Sequence, residues 1–230
     1  MRAENIKSKL KYCNSQLQEL YSILFGAQLS NKKVEDISHL VGDIISNTND
    51  CFDYCAKDMF ETFILPKLTS KEINNYNKGT TKVYFPFYEK DLNRGSFQTL
   101  GQHNKKLYVY LLSRCRAADH KEKIGRIKFD YVYARNVRKL VNDKKHNNVI
   151  EITNDGDLET VIDGNGFQAI IPPTKLRVVA DGGVKNVVRA HVYQLESTGE
   201  EIKELCSCAQ VSTRRILGEI YNKFLNIKLW

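Results

Sequence analysis

No apolar run in this chain approaches the roughly 20 residues that a bilayer crossing needs; the longest, Val83 to Tyr88 and Leu107 to Leu112, fall far short. A membrane-spanning helix is excluded on that ground. The start, Met1-Arg2-Ala3-Glu4-Asn5-Ile6-Lys7, passes straight into a polar amphipathic pattern, without the apolar core of about 7 to 15 residues that marks a signal peptide. A cytoplasmic protein is therefore expected. Metal-site spacing is also missing: six cysteines stand at 13, 51, 55, 115, 206 and 208, and neither Cys51-x3-Cys55 nor Cys206-Ser207-Cys208 is joined by a second Cys or His pair. They are expected to be reduced and to pack as small apolar groups, with no metal and no cofactor in view. Asp155, Asp157 and Glu159 lack the ligand ladder of a calcium loop. Internal repeats, low-complexity tracts and a helix-turn-helix pairing, which would point to a DNA-binding regulator, are absent too.

What the chain does have is a concentrated positive charge. The 45 residues from Gln102 to His146 hold 13 Lys and Arg against 4 acids, a net of +9, while the whole chain carries +8. The remainder is close to neutral. A local field of this kind draws phosphate-bearing partners such as RNA, although a solvated, solubilising face has the same composition.

Hydrophobic spacing then organises the N-terminal part. Ile6, Leu10, Cys13, Leu17, Leu20, Tyr21 and Leu24 recur at steps of three and four, which predicts a helix from about Glu4 to Phe25, ended by Gly26. From Asn31 a second run keeps the same period through Val34, Val41, Ile45, Phe52 and Met59 to Pro66, a helix of roughly 30 residues. Two such helices with a short connection are antiparallel neighbours in a bundle. On the second, Asp53 and Tyr54 are expected to make a surface or inter-helix hydrogen bond. Between Pro66 and Ser96 the period is lost, and Lys82 to Tyr88 forms an extended excursion whose aromatics need cover. Helical signals return from Ser96 to about Arg116 and from about Lys123 to His146. In the latter, Tyr133, Val137, Leu140 and Val141 share one face, and Arg135, Lys139, Asn142 and His146 share another.

After Asn148 the pattern changes. Runs rich in β-branched residues (149–153, 158–162, 167–171, 176–180 and 187–195) are separated by Asp155-Gly156, Asp163-Gly164-Asn165-Gly166, Pro172-Pro173 and Asp181-Gly182-Gly183, which predicts a small antiparallel sheet. A last helix, about Ala209 to Asn226, packs back on the bundle. The fold class is thus α+β: a mainly helical up-and-down bundle with a small antiparallel β subdomain before the C-terminal helix. The units are 1–147, 148–205 and 206–230.

Two long N-terminal helices, an irregular excursion, and a later helix closing in Val141-Asn142-Asp143-Lys144-Lys145-His146 resemble the HEPN superfamily of helical bundles, over roughly residues 1 to 147. The resemblance implies a bundle that homodimerises. In bacterial members it also implies a subunit or partner protein of a toxin or phage-defence system, and in some members metal-independent RNA cleavage at an Arg-x(4 to 6)-His motif. By that resemblance His146 with Asn142 takes the catalytic place, His146 moving protons and arginine binding the scissile phosphate. Arg135, Arg138, Lys139, Lys145, Arg114 and Arg116 are the nucleic-acid-binding candidates. Departing from the pattern, Val141 stands where the arginine is expected, and Arg138 lies one turn before Asn142. Arg114 to His120 meets the spacing literally, but about 0.7 such matches arise by chance from 5 histidines and 11 arginines. Two functions remain open: an interaction module with little or no catalysis and a basic face for RNA, or a metal-independent endoribonuclease. A structural role for His146, favoured by the negative end of the helix dipole, stands beside the catalytic one.

Overall fold

The structure, a computed structural model, describes residues 1–30, 37–120, 125–147, 152–162, 168–171, 186–195 and 199–230, with side chains except at 27–30, 144–147, 153–162, 168–171 and 186–192. Most of the described chain is helical, and its frame is a bundle of four long helices: α1 (Ala3–Ser30), α2 (Ser38–Phe63), α7 (Arg126–Asn147) and α8 (Ile202–Ile220). Four shorter helices stand between α2 and α7: α3 (Ser70–Asn77), α4 (Glu89–Asn93), α5 (Leu100–His103) and α6 (Lys105–Asp119). Among the described residues no helix is long and apolar enough to cross a membrane.

The apolar stripes read from the sequence meet in two clusters, one at each end of the bundle. At one end Ile6 and Leu10 of α1, Phe52 and Met59 of α2, and Leu107 and Leu111 of α6 pack with Tyr131, Leu217 and Tyr221. At the other, Leu17 and Leu20 meet Val41, Ile44 and Ile45, with Val137, Leu140 and Val141 of α7 and Leu205 and Cys206 of α8. Two polar groups between them are bonded locally and across helices. Thr48 donates to the Ile44 carbonyl at 2.6 Å, and the Gln210 amide donates to the Cys13 carbonyl of α1 at 2.7 Å. All six cysteines are free thiols, five of them buried, as expected of apolar packers.

Several boundaries differ from the sequence reading. Gly26 does not stop α1, which continues to Ser30; one glycine in a helix costs only about 1 kcal/mol against alanine, and there is open space where a Cβ would stand. Residues 31–36 lie outside the described part, so the expected start of α2 at Asn31 does too. α2 ends at Phe63, and Leu65–Lys67, with its proline, turns as a 3-10 helix. The stretch expected to be irregular contains α3, begun by a capping box in which Thr69 and Glu72 satisfy each other's backbone N–H groups. The single helix expected from Ser96 is broken: Gly95–Phe97 is a 3-10 turn, α5 is one turn long, and Asn104 caps α6 by accepting from the Leu107 N–H at 3.0 Å. α8 begins at Ile202, ahead of both the expected Ala209 and the boundary at 206, and passes after Ile220 into a π turn at Tyr221–Leu225.

The described strands, β1 (Ile152–Ile162), β2 (Gln168–Ile171) and β3 (Asn186–Leu195), form an antiparallel sheet in the order β2-β1-β3. Asp155-Gly156 does not divide two strands. It lies within β1, where the register against β3 shifts between Thr153 and Gly156, a bulge in one continuous strand. The expected run at 176–180 falls outside the described residues. At its far end β3 is joined to the bundle, with Tyr193 and Leu195 buried in the second cluster.

Candidate functional site

The excursion after α3 builds the surroundings of α7. In Val83 to Tyr88 the side chains of Val83, Phe85, Pro86 and Phe87 are buried, whereas Tyr84 and Tyr88 stay exposed. Phe85 and Phe87 pack on Phe52 of α2 with ring centroids 5.0 and 5.1 Å away, contacts of about 0.5 to 1.5 kcal/mol each beyond their burial. No strand pairs with this segment among the described residues, so its backbone carbonyls are open to other donors.

Arg135 takes one of them. Its Nε donates to the Phe87 carbonyl at 2.9 Å, and its terminal nitrogens donate to the Cys115 carbonyl at 3.0 Å and to Asp119 at 2.5 Å. The guanidinium lies 4.4 Å from the centre of the Tyr88 ring, and the side chain is only 11% exposed. One arginine therefore ties the excursion and the C-terminal turn of α6 to α7, at a helix end whose dipole favours a cation. Arg138, one turn along, sits 4.7 Å from the Tyr84 ring and 3.7 Å from Asp53 of α2, and is 16% exposed.

Around Arg138 two polar side chains gather, Asn49 and Asp53. The Asn49 amide donates to Asp53 Oδ2 at 3.2 Å, while Asn49 Oδ1, Asp53 Oδ1 and one terminal nitrogen of Arg138 have no hydrogen-bond partner. Burial pushes the Asp53 carboxyl up from its ordinary value, outweighing Arg138 and the Phe85 N–H, which act in the other direction. Where a surface or inter-helix hydrogen bond was expected at Asp53, the bond from Asn49 stays within α2, and α7 is reached by the 3.7 Å ion pair with Arg138.

The other candidates spread out. Arg114 stacks on Tyr110, 3.6 Å from the ring centre, and donates to Glu219 of α8 at 3.2 Å. Arg116 grips Glu89 with two hydrogen bonds of 3.0 and 2.7 Å. His120, at the end of α6, borders a different hollow from Arg114, lined by Ser113, Arg116 and Ala117, so the literal Arg114–His120 pair is not brought together. Lys139 and Asn142 are exposed on α7. Lys145 and His146 belong to its last turn, but their side chains lie outside the described residues. Val141, in the place where the family pattern has arginine, is 6% exposed and packed in the second cluster.

One further feature carried no signal in the sequence. On α7 the rings of Phe129 and Tyr133 lie 4.6 Å apart, and the Tyr133 hydroxyl donates to Glu204 of α8 at 3.3 Å. Val211, 42% exposed, shares a stripe of α8 with Cys208 and Arg215, and Phe129 is 39% exposed. Phe129 and Val211 thus leave apolar surface exposed on the packed pair α7 and α8. No family model, no curated protein and no solved structure matches the chain.

Proposed function

We propose that this chain is a HEPN-like helical bundle that works as a homodimeric interaction module with little or no catalysis of its own, serving as a subunit of a toxin or phage-defence system. The observation that carries this reading is the use made of the arginines. Arg135 and Arg138, the two best placed to meet a phosphate beside Asn142, hold the excursion and α2 against α7, and Arg114 and Arg116 are paired with Glu219 and Glu89. A guanidinium already bonded to carboxylates and carbonyls must break those contacts before it can hold RNA. The buried Val141 supports the same reading, since an arginine there would point into a core of Val137 and Leu140. What remains for RNA is a weaker basic face, with Lys139 exposed upon it.

The α7–α8 patch gives the module its contact surface, a second copy of the chain being the partner. Light scattering on the purified chain at micromolar concentration should give twice the chain mass. Phe129→Glu combined with Val211→Glu should give a folded monomer, because both side chains are exposed and a charge on each opposes burial against a partner. A monomeric mass for the unmodified chain contradicts the dimer.

The ribonuclease reading keeps one observation in its favour. Asn142 lies one turn beyond Arg138, whose neighbours Asn49 and Asp53 each offer an unpartnered oxygen. In that reading His146 and Asn142 carry out metal-independent cleavage next to a polar recess.

A further inference from the structure

We propose that the cleft between α6, α7 and α8, away from Asn142 and His146, binds a phosphate group carried by a small molecule. Four cations, Arg114, Arg126, Arg215 and Lys223, line it against two carboxylates, Asp130 and Glu219. Glu219 is shared: it accepts from the Tyr110 hydroxyl at 2.7 Å, Arg114 at 3.2 Å and Lys223 at 3.4 Å, with Arg126 at 3.8 Å. Asp130 is bonded to the Ser212 hydroxyl at 3.1 Å and to Arg215 at 3.2 Å. Two positive charges are left over, in a recess rather than on an open face, which is the electrostatic complement of a phosphate dianion.

Two independent observations point to the same ligand. Tyr131 lines the cleft and is 1% exposed, yet its hydroxyl has no hydrogen-bond partner. Buried hydroxyls are almost always bonded, so one left open beside Tyr110 and Arg114 is a donor ready for an acceptor. The first two residues of α7, Arg126 and Ile127, also border the cleft, bringing the positive end of a long helix to its rim. Size limits the choice. The volume is about 250 Å³, just under the usual range of ligand pockets, which suits a phosphomonoester no larger than a mononucleotide. This site depends on neither the dimer nor the RNA reading.

The test is calorimetric titration of the full chain with inorganic phosphate, AMP and adenosine at constant ionic strength. Phosphate and AMP should saturate one site per chain, and adenosine should not bind; tighter binding of AMP assigns the site to an ester, equal binding to the free anion. Arg126→Gln with Lys223→Gln removes the two surplus charges from side chains that are 67% and 57% exposed, and should weaken binding roughly 10-fold or more without loss of fold. Tyr131→Phe should also weaken binding while leaving the melting temperature unchanged or higher, because its hydroxyl has no bond to lose. Absence of saturable phosphate or AMP binding up to about 10 mM, equal binding of adenosine, or undiminished binding in both variants overturns the proposal. So does an equal loss in Lys105→Gln with Lys106→Gln, exposed charges that do not line the cleft.

Discussion

Asp58→Ala should lower the unfolding free energy by about 3 to 5 kcal/mol, a large share of what holds an ordinary domain together. Asp58 is fully buried on α2 and collects three donors from two other parts of the chain. These are the Arg2 backbone N–H at 2.7 Å, the Arg2 guanidinium at 2.8 Å and the Tyr221 hydroxyl at 2.6 Å. Removing the carboxylate leaves the Arg2 backbone N–H and the Tyr221 phenol unbonded in the core while the guanidinium keeps only Glu61, so the cost exceeds that of an ordinary cavity. Tyr221→Phe removes one donor and should cost only about 1 to 2 kcal/mol. Urea denaturation of both variants separates the two effects. The same knot carries a pH signature. The Arg2 hydrogen bond, assisted by the Tyr76 hydroxyl, outweighs burial and holds the Glu61 carboxyl below its ordinary 4.5. A depressed folded-state value means that its contribution is present above about pH 4.5 and fades as pH falls through the lower folded value. Stability of the unmodified chain should therefore fall with acid over that range, and Arg2→Ala should flatten the slope.

Arg135→Ala should cost about 2 to 4 kcal/mol, whereas Lys139→Ala on the same helix should stay within about 0.5 kcal/mol. The difference follows from contacts: Arg135 holds two carbonyls and a carboxylate in a nearly closed site, and Lys139 projects into solvent. For a chain of this size a loss of that order lowers the melting temperature by roughly 4 to 16 °C. Any RNA affinity should respond the other way round. Lys139→Ala should reduce the salt dependence of binding by about one unit, and Arg135→Ala should act only through the folded fraction. A stable Arg135→Ala variant that loses RNA binding would show that this guanidinium serves a ligand and not the fold.

The long helices were legible because burial repeats their periodicity: the stripe Ile6, Leu10, Leu17, Leu20 faces the core, and so does Val41, Ile45, Phe52, Met59. α3 was equally written in the sequence, in the spacing of Thr69 and Glu72, but a capping signal before a helix without an apolar stripe is easily passed over. The first half of α8 was hidden for another reason. Ile202, Leu205, Cys206 and Ala209 are buried at helical spacing, but this stretch follows directly on a strand-rich run and its N-cap is Glu201, without the Ser, Thr, Asp or Asn that announces a helix start. At the candidate site, exposure of Lys139 and Asn142 follows from the helical wheel. The fate of the arginines does not, since the Phe87 carbonyl is 48 residues from Arg135 in the chain and becomes its acceptor only when the excursion folds over Phe52. Periodicity assigns a face; it does not say whether another segment will cover that face.

The proposed interaction module makes its contacts through the α7–α8 patch, with no catalytic centre at the end of α7. Incubation of the purified chain with total RNA, with and without EDTA, followed by analysis of product ends, tests the absence of catalysis most directly. The account predicts intact RNA under both conditions, and no difference between the unmodified chain and His146→Ala beyond a change in stability of about 0.5 to 2 kcal/mol. Cleavage that persists in EDTA, leaves 2',3'-cyclic phosphate ends, and falls on the order of 100-fold in a stably folded His146→Ala variant would contradict it.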